Sequence, residues 1–328
     1  MTTREKLAVM LEEADGEYVS GGRIAESLGI TRAAIWKNIR QLEAEGYSIE
    51  AVTGRGYRLG DTNDVVSSSL IKKYLQDDAG IFTLEVVPEI TSTNTVLKEK
   101  AAECPSWYIL AAGSQSAGRG RTGRGFFSPC GTGLYLSILL RPDLPVTDSG
   151  RITTAVSVAA CLAIEECTDA KPKIKWVNDV FVNDRKTCGI LTEASVNFES
   201  GELDWVVTGI GFNVYEPEDG FPEEISSTAG AICQERSKDL RSRLAASFIR
   251  HFYVLWNDLK SGAFIEEYRR RCFLLGHEIY VLRQDARIPA AAVGIDDNCG
   301  LIVRYDDGTS EVLSSGEVSV RPAFMKTS

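Results

Sequence analysis

Residues 115–129 read Gln-Ser-Ala-Gly-Arg-Gly-Arg-Thr-Gly-Arg-Gly-Phe-Phe-Ser-Pro, with four glycines and three arginines in one loop. Glycines let a backbone wrap closely around a ligand, and guanidinium groups suit phosphate or carboxylate oxygens. Apolar strand-like runs lie on both sides, at 107–112 and 134–140, so the loop belongs inside a domain. That placement argues against a solvated glycine-arginine linker and excludes two common nucleotide folds. Gly118, Gly120 and Gly123 have G-x-G-x-x-G spacing, but Pro129 and a strand-like 133–138 follow where a dinucleotide site needs a helix. Residues 113–118 have P-loop spacing, yet Arg119-Gly120 stands where Lys-Ser or Lys-Thr is required.

Residues 1–60 carry three helical stripes and a β-prone pair. Leu7, Met10, Leu11 and Ala14 recur at helical spacing, as do Ile24, Ala25 and Leu28, then Ile35, Ile39 and Leu42. Gly29 ends the second stripe and Thr31 can cap the third, which leaves the short turn of a helix-turn-helix. Residues 47–52 and 57–59 flank Thr53-Gly54-Arg55-Gly56, the tip of a β-wing. The polar stretch 61–68 has no sustained period and reads as a linker.

Beyond it, strand-like runs at 81–87, 107–112, 134–140, 179–182 and 205–211 alternate with helical stripes at 93–103, 152–166 and 240–259. The expectation is an α+β or α/β domain with one main sheet over 69–275. From Gly276 short strands punctuated by Asp296-Asp297-Asn298 and Asp306-Asp307-Gly308 read as a small β-barrel, 276–328. A chain of 328 residues exceeds what one core usually serves, in keeping with this division.

The net charge of −10 excludes a protein whose whole surface grips nucleic acid; any DNA contact is local. Residues 31–58 hold five basic residues (Arg32, Lys37, Arg40, Arg55, Arg58) against three acids. With Ile35, Ile39 and Leu42 inward, the third helix turns Ala33, Lys37 and Arg40 outward, with Trp36 at the flank, as expected of a helix entering a major groove. Arg32, Ala33, Trp36, Lys37, Arg40 and Arg55 are the candidate DNA contacts, although winged helices also mediate protein contacts. Residues 1–14 lack the apolar stretch of a signal peptide, and no run is long enough to cross a bilayer. Eight cysteines without C-x-x-C pairs, beside two histidines, predict a reduced cytoplasmic protein with no structural metal site.

Two further clusters carry chemistry. Lys175-Trp176-Val177-Asn178-Asp179 and then 184–191, with Lys186, place lysines near a carboxylate and an amide, groups able to neutralise a pentavalent phosphorus and to hold a magnesium-bound nucleotide. Alone they are common surface features. Thr91-Ser92-Thr93-Asn94 precedes a helical stripe; such residues cap helices, and they can also face a ligand needing neutral hydrogen bonds.

In this order, helix-turn-helix, S-T-N, G-R-G-R-x-G-R with F-S-P, K-W-x-N-D, R-K-x-x-G-I-L and a terminal G-E-V-S-V-R, the chain resembles the biotin–protein ligase family, in particular members that double as the biotin operon repressor. The resemblance covers nearly the whole chain. It implies an α+β protein: a winged helix-turn-helix, a central mixed-sheet catalytic domain of the biotin/lipoate ligase type related to class II aminoacyl-tRNA synthetases, and a C-terminal Src-homology-3-like barrel. It implies ATP-dependent activation of biotin to biotinyl-5'-AMP with Mg2+, then transfer to a lysine of a biotin carboxyl carrier protein domain. Ser92, Thr93, Asn94, Gln115, Ser137, Gly209 and Gly211 are then biotin ligands. Arg119, Gly120 and Arg121 close over the adenylate, and Lys186 contacts the biotin carboxylate or the phosphate. Lys175, Asn178 and Asp179 serve the ATP phosphates and magnesium, while Arg124 and Phe126 complete the nucleotide site, Phe126 standing where relatives have a tryptophan. Val177 departs from the usual K-W-P-N-D and removes no functional group. The resemblance further implies a homodimer, operator DNA as a partner, and the adenylate as co-repressor. Two other readings are a non-catalytic biotin-sensing regulator, against which the intact Lys186 and arginine loop argue, and a lipoate or octanoyl ligase, which calls for a different glycine-rich signature with histidine.

Overall fold

The computed structural model describes residues 1–196, 199, 201–283 and 286–314, and the backbone of 319–322. The head comprises α1 (Thr3–Glu13), α2 (Gly21–Leu28), α3 (Arg32–Ala44) and the hairpin β1 (Ile49–Val52) and β2 (Gly56–Leu59). Leu7, Leu11, Ile24, Ile35, Ile39 and Leu42, the residues whose spacing predicts the helices, close on one small core. Gly29 stops α2 in a left-handed conformation, φ 64°, and the Thr31 hydroxyl accepts from Ala34 N to cap α3. Val19 and Tyr57 exchange backbone hydrogen bonds of 2.8 and 3.0 Å, which bind the wing to the helices.

The expected linker contains no strand, and its only helical residue is Ser68, the first of α4 (Ser68–Leu75). It is not solvated throughout: Asn63 and Asp64 are 1% and 3% exposed. Asn63 accepts from Ser48 N of the head through its side chain and from Asp239 N through its carbonyl. Asp64 accepts from Tyr215 Oη at 2.7 Å, Arg241 N at 2.8 Å and Arg241 Nε at 3.2 Å. Polar residues at a domain junction read as solvated when their partners lie some 150–180 positions away in the chain.

The central domain continues with β3 (Thr83–Ile90), α5 (Thr93–Glu99), β4 (Tyr108–Gln115), β5 (Gly133–Leu140), α6 (Ser149–Cys167), β6 (Lys173–Lys175), β7 (Asp179–Val182), β8 (Arg185–Val196) and β9 (Leu203–Asn213). Helices α7 (Glu223–Ser226), α8 (Leu240–Asn257) and α9 (Phe264–Arg271) complete it. The seven strands form one mixed sheet, ordered β3-β4-β5-β9-β8-β7-β6, in which β3 and β4 are parallel and the other neighbours antiparallel. Leu136, Ile138, Ile190, Ile210 and Phe212 belong to the main core with Val156 and Ala159 of α6 and Phe248 and Phe252 of α8. A smaller cluster joins Leu97 of α5 to Leu110, Leu139 and Val207. Strand β3 begins at Thr83, after a 3-10 turn over Gln76–Ile81, later than the expected 81.

Strands β10 (Glu278–Arg283), β11 (Ala286–Ile295), β12 (Leu301–Tyr305), β13 (Ser310–Leu313) and β14 (Ser319–Pro322) form a five-stranded antiparallel sheet. Trp176 Nε1 donates to Cys299 O at 2.9 Å, fastening this domain to the turn before β7. Of the terminal motif at 316–321, residues 316–318 lie outside the described residues. No helix among the described residues is long and apolar enough to cross a membrane. Burial pushes the thiols of Cys161 and Cys272 up to about 12 and about 11, which keeps them protonated as packing residues.

Candidate active site and nucleic-acid interface

Strand register decides which residues share the site's face. Residues directly opposite one another in antiparallel strands point to the same side. Ser137 pairs with Gly209, Gly209 with Leu191, Gly211 with Gly189, and Gly189 with Asp179. Glycines 189, 209 and 211 therefore leave a floor without side chains on the face that carries Ser137 and Asp179. The space above that floor is used closely. A Cβ at Gly209 would lie 1.9 Å from Asn94 Oδ1, and one at Gly211 2.4 Å from the Phe126 ring.

The start of α5 supplies the polar wall. Ser92 caps the helix, accepting from Thr95 N at 3.5 Å, and Ser92, Thr93 and Asn94 are all buried. Thr93 donates through its backbone N–H to Gln115 Oε1 at 2.9 Å, while Gln115 Nε2 donates to Ser128 Oγ at 2.9 Å. Ser137 Oγ stands 2.6 Å from Asn94 Oδ1 and 2.7 Å from Thr93 Oγ1. One segment thus caps α5 and borders the glycine floor, and Ser92, Thr93, Asn94, Gln115, Ser137 and Gly209 are brought together.

The glycine-arginine loop closes on itself through Gly120 N to Arg124 O at 2.7 Å and Phe126 N to Gly118 O at 2.8 Å. It directs its first two arginines to opposite ends of the floor. Arg119 Nη1 lies 3.1 Å from Glu193 Oε1, beside Asn94. Arg121 Nη1 donates to Asn178 Oδ1 at 3.1 Å, and Asn178 Nδ2 in turn donates to Ile190 O at 2.7 Å. Phe126 lies over Gly211 and Gly189, edge-on to Tyr135 with ring centroids 6.4 Å apart. Arg124 is exposed.

At the Asn178 end, Lys186 Nζ stands 2.7 Å from Asp179 Oδ1, an ion pair in distance that is not aligned as a hydrogen bond. Lys175 pairs with Asp179 across β6 and β7, its ammonium 5.9 Å from the Phe181 ring. The Trp176–Val177 peptide is cis. Glu193 and Lys98 escaped sequence reasoning. Burial opposes the Glu193 charge, but hydrogen bonds from Lys98 and Asn94 outweigh it and hold the carboxyl below its ordinary value. The signal was available: in a strand, Glu193 lies on the same face as Gly189 and Leu191. No group of three His, Cys, Asp or Glu able to hold a metal occurs among the described residues.

In the head, Arg32, Ala33, Trp36, Lys37 and Arg40 form the exposed side of α3, with Trp36 58% exposed. Arg40 lies over Trp36 and pairs with Glu43; Arg55, at the wing tip, lies 4.4 Å over the Tyr18 ring. The exposed side of α3 and the wing tip thus each carry cations.

A mixed sheet packed by helices, crossed by a loop with three arginines, is thus joined to a helix-turn-helix head whose exposed helix carries cations. Family models match in the same order: an HTH domain at 3–58, the biotin/lipoate A/B protein ligase family at 86–213, and the biotin protein ligase C terminal domain at 274–321. The chain is 31% identical over 322 residues to the bifunctional ligase/repressor BirA of Bacillus subtilis (strain 168), covering 96% of this chain and 98% of that one. It is 30% identical over 322 residues to the protein of the same name from Escherichia coli (strain K12), covering 97% of each. A biotin protein ligase from Aquifex aeolicus, solved in complex with biotin and ATP, superposes with a TM-score of 0.61 at 27% identity, over 74% of this chain and 99% of that one. This chain belongs to the biotin–protein ligase family, in its bifunctional ligase/repressor branch.

Proposed function

We propose that the chain activates biotin with ATP to biotinyl-5'-adenylate and transfers it to one lysine of a biotin carboxyl carrier domain. The observation that carries this is one face of the sheet on which neutral donors and acceptors (Thr93, Asn94, Gln115, Ser137) and cations (Arg121, Lys186) lie around a glycine floor. A ureido ring is a neutral array that the first set matches; a carboxylate and a phosphate are anions that the second set matches. The biotin carboxylate attacks the α-phosphorus and pyrophosphate leaves. Arg121, Lys186 and Lys175 offset the charge that gathers on the phosphorus oxygens. Phe126 and Arg124 border the nucleotide. The ε-amine of the acceptor lysine then attacks the mixed anhydride and AMP departs.

Asn178 and Asp179 supply one amide and one carboxylate oxygen, a donor set too small to hold Mg2+ alone and suited to an ion that arrives on the nucleotide's phosphates. Bound there, Mg2+ would neutralise phosphate charge. The domain limits proposed are 1–60, 61–68, 69–275 and 276–328.

For the head, the reading is a homodimeric repressor of biotin genes with the adenylate as co-repressor, supported by the exposed Arg32, Lys37 and Arg40 and by the repressor names of the relatives. Incubation with biotin, MgATP and an acceptor domain, followed by intact-mass measurement, tests the ligase: one biotinyl increment is expected, and its absence removes the assignment. Lys186→Ala is expected to slow pyrophosphate release about 100-fold or more. Operator binding that does not tighten with saturating adenylate removes the co-repressor reading.

A further inference from the structure

We infer that Glu193 is a positioning residue that joins the biotin-facing Asn94 to the adenylate-facing Arg119, so that the cleft's polar wall and its loop are held by one carboxylate. The inference rests on the ligase reading above. Three donors from two parts of the chain converge on it: from α5, Asn94 Nδ2 at 3.1 Å and Lys98 Nζ at 2.6 Å, and from the loop, Arg119 Nη1 at 3.1 Å. The Glu193 side chain is 20% exposed and Lys98 27%, whereas Arg119 is 42% exposed, so solvent screens the Arg119 contact more than the Lys98 one.

The geometry fixes two separate things. Asn94 places its amide nitrogen against both Leu191 O and Glu193 Oε2, each at 3.1 Å. Its Oδ1 is thereby turned toward Ser137 and Gly209, over the floor. Without Glu193 the amide loses one of the two acceptors that tell its nitrogen from its oxygen, and the cleft loses a defined acceptor. Arg119 belongs to the loop, and its pairing with Glu193 ties the loop's first turn to β8. Asn94 needs only an acceptor at this position. Arg119 and Lys98 need a charge.

That difference makes the two roles separable. Glu193→Gln keeps an acceptor for Asn94 and discards the charge; Glu193→Ala discards both. Wild type and both variants are titrated with biotin, and the release of preformed biotinyl-adenylate is followed without acceptor. The expected result for Glu193→Gln is a biotin affinity within about 3-fold of wild type with adenylate release about 10-fold faster, as loss of charge-assisted hydrogen bonds to a loop predicts. Glu193→Ala should add a rise in biotin KM of about 10-fold, with kcat for transfer from bound adenylate changed far less. A role in folding alone would lower the melting temperature without this split between the variants. Wild-type adenylate release in Glu193→Gln overturns the loop role, and wild-type biotin affinity in a folded Glu193→Ala overturns the Asn94 role. Should Glu193→Ala not fold, Glu193→Gln decides by its release rate. A wild-type protein that forms no adenylate marks failure of the ligase reading itself, and this inference falls with it.

Discussion

Arg121 and Asn178, 57 positions apart, meet through a 3.1 Å hydrogen bond that ties the glycine-arginine loop to the turn before β7. The loop lies beside the glycine floor and the turn leads to Asp179 and Lys186, so this contact joins two halves of the proposed phosphate site.

Removing either side of the tie should therefore have overlapping effects. Arg121→Ala is expected to lower kcat/KM for adenylation roughly 10- to 100-fold, from loss of a charge-assisted contact. Asn178→Ala should lower it by a similar factor, and the double variant by less than the product of the two. Pyrophosphate exchange measured over the four-protein cycle checks this; strictly multiplicative losses would show that the two side chains act independently.

Gly209→Ala tests the floor. The added methyl would stand 1.9 Å from Asn94 Oδ1, so the asparagine must move. The expected outcome is a biotin KM raised about 10-fold or more, with a smaller change in ATP KM, because Asn94 lies at the end remote from Arg121 and Asn178. Steady-state kinetics with each substrate varied in turn distinguishes this from a general loss.

Glu12 is buried where the head meets the catalytic domain, accepting from Tyr47 Oη at 3.0 Å and from Ser69 Oγ. Burial raises its carboxyl above the ordinary 4.5, against the hydroxyl hydrogen bonds that lower it. The folded form thus binds the proton more tightly than the unfolded one. Its contribution is fully favourable below pH 4.5 and is lost as pH rises through the raised value. Glu12→Gln, neutral at every pH, should gain in melting temperature over wild type at pH 8, and that advantage should shrink on acidification toward pH 4.5. Paired melting curves from pH 4.5 to 8 test it; a pH-independent difference would contradict it.

Asp64 and Arg241 form a buried ion pair, with side chains 0% and 6% exposed. Asp64→Ala leaves a guanidinium without its partner, an expected cost of about 3–5 kcal/mol. Denaturant titration of both proteins measures this, and a loss below about 1 kcal/mol would show that solvent reaches Arg241.

Legibility in the sequence followed the range of the interactions. The helices of the head were readable because Leu7, Leu11, Ile35, Ile39 and Leu42 repeat at the helical period and caps sit at Gly29 and Thr31. The order of motifs pointed to the chemistry, and Thr93, Asn94, Gln115 and Ser137, which the resemblance implies as biotin ligands, lie within hydrogen-bond reach of one another. Strand β8 was not read as a strand, because Arg185, Lys186, Gly189 and Glu193 interrupt its apolar run. With it went the alternation that would have set Glu193 beside the site. Helix α9 was hidden by five charged residues in eight, although it buries Phe264, Ile265 and Tyr268. The burial of Asn63 and Asp64 could not be read locally, since Tyr215, Asp239 and Arg241 are far away in the chain.

That buried junction bears on how two copies would measure DNA. Asn63 bridges Ser48 of the head and Asp239 of the catalytic domain; on the proposed homodimeric repressor reading, that tie would set the two α3 helices at a preset distance and phase. Each base pair added between half-sites turns one of them about 35° around the duplex axis. On that reading, an operator lengthened by half a helical turn would put its second half-site on the far side of the duplex, out of phase with a head so held.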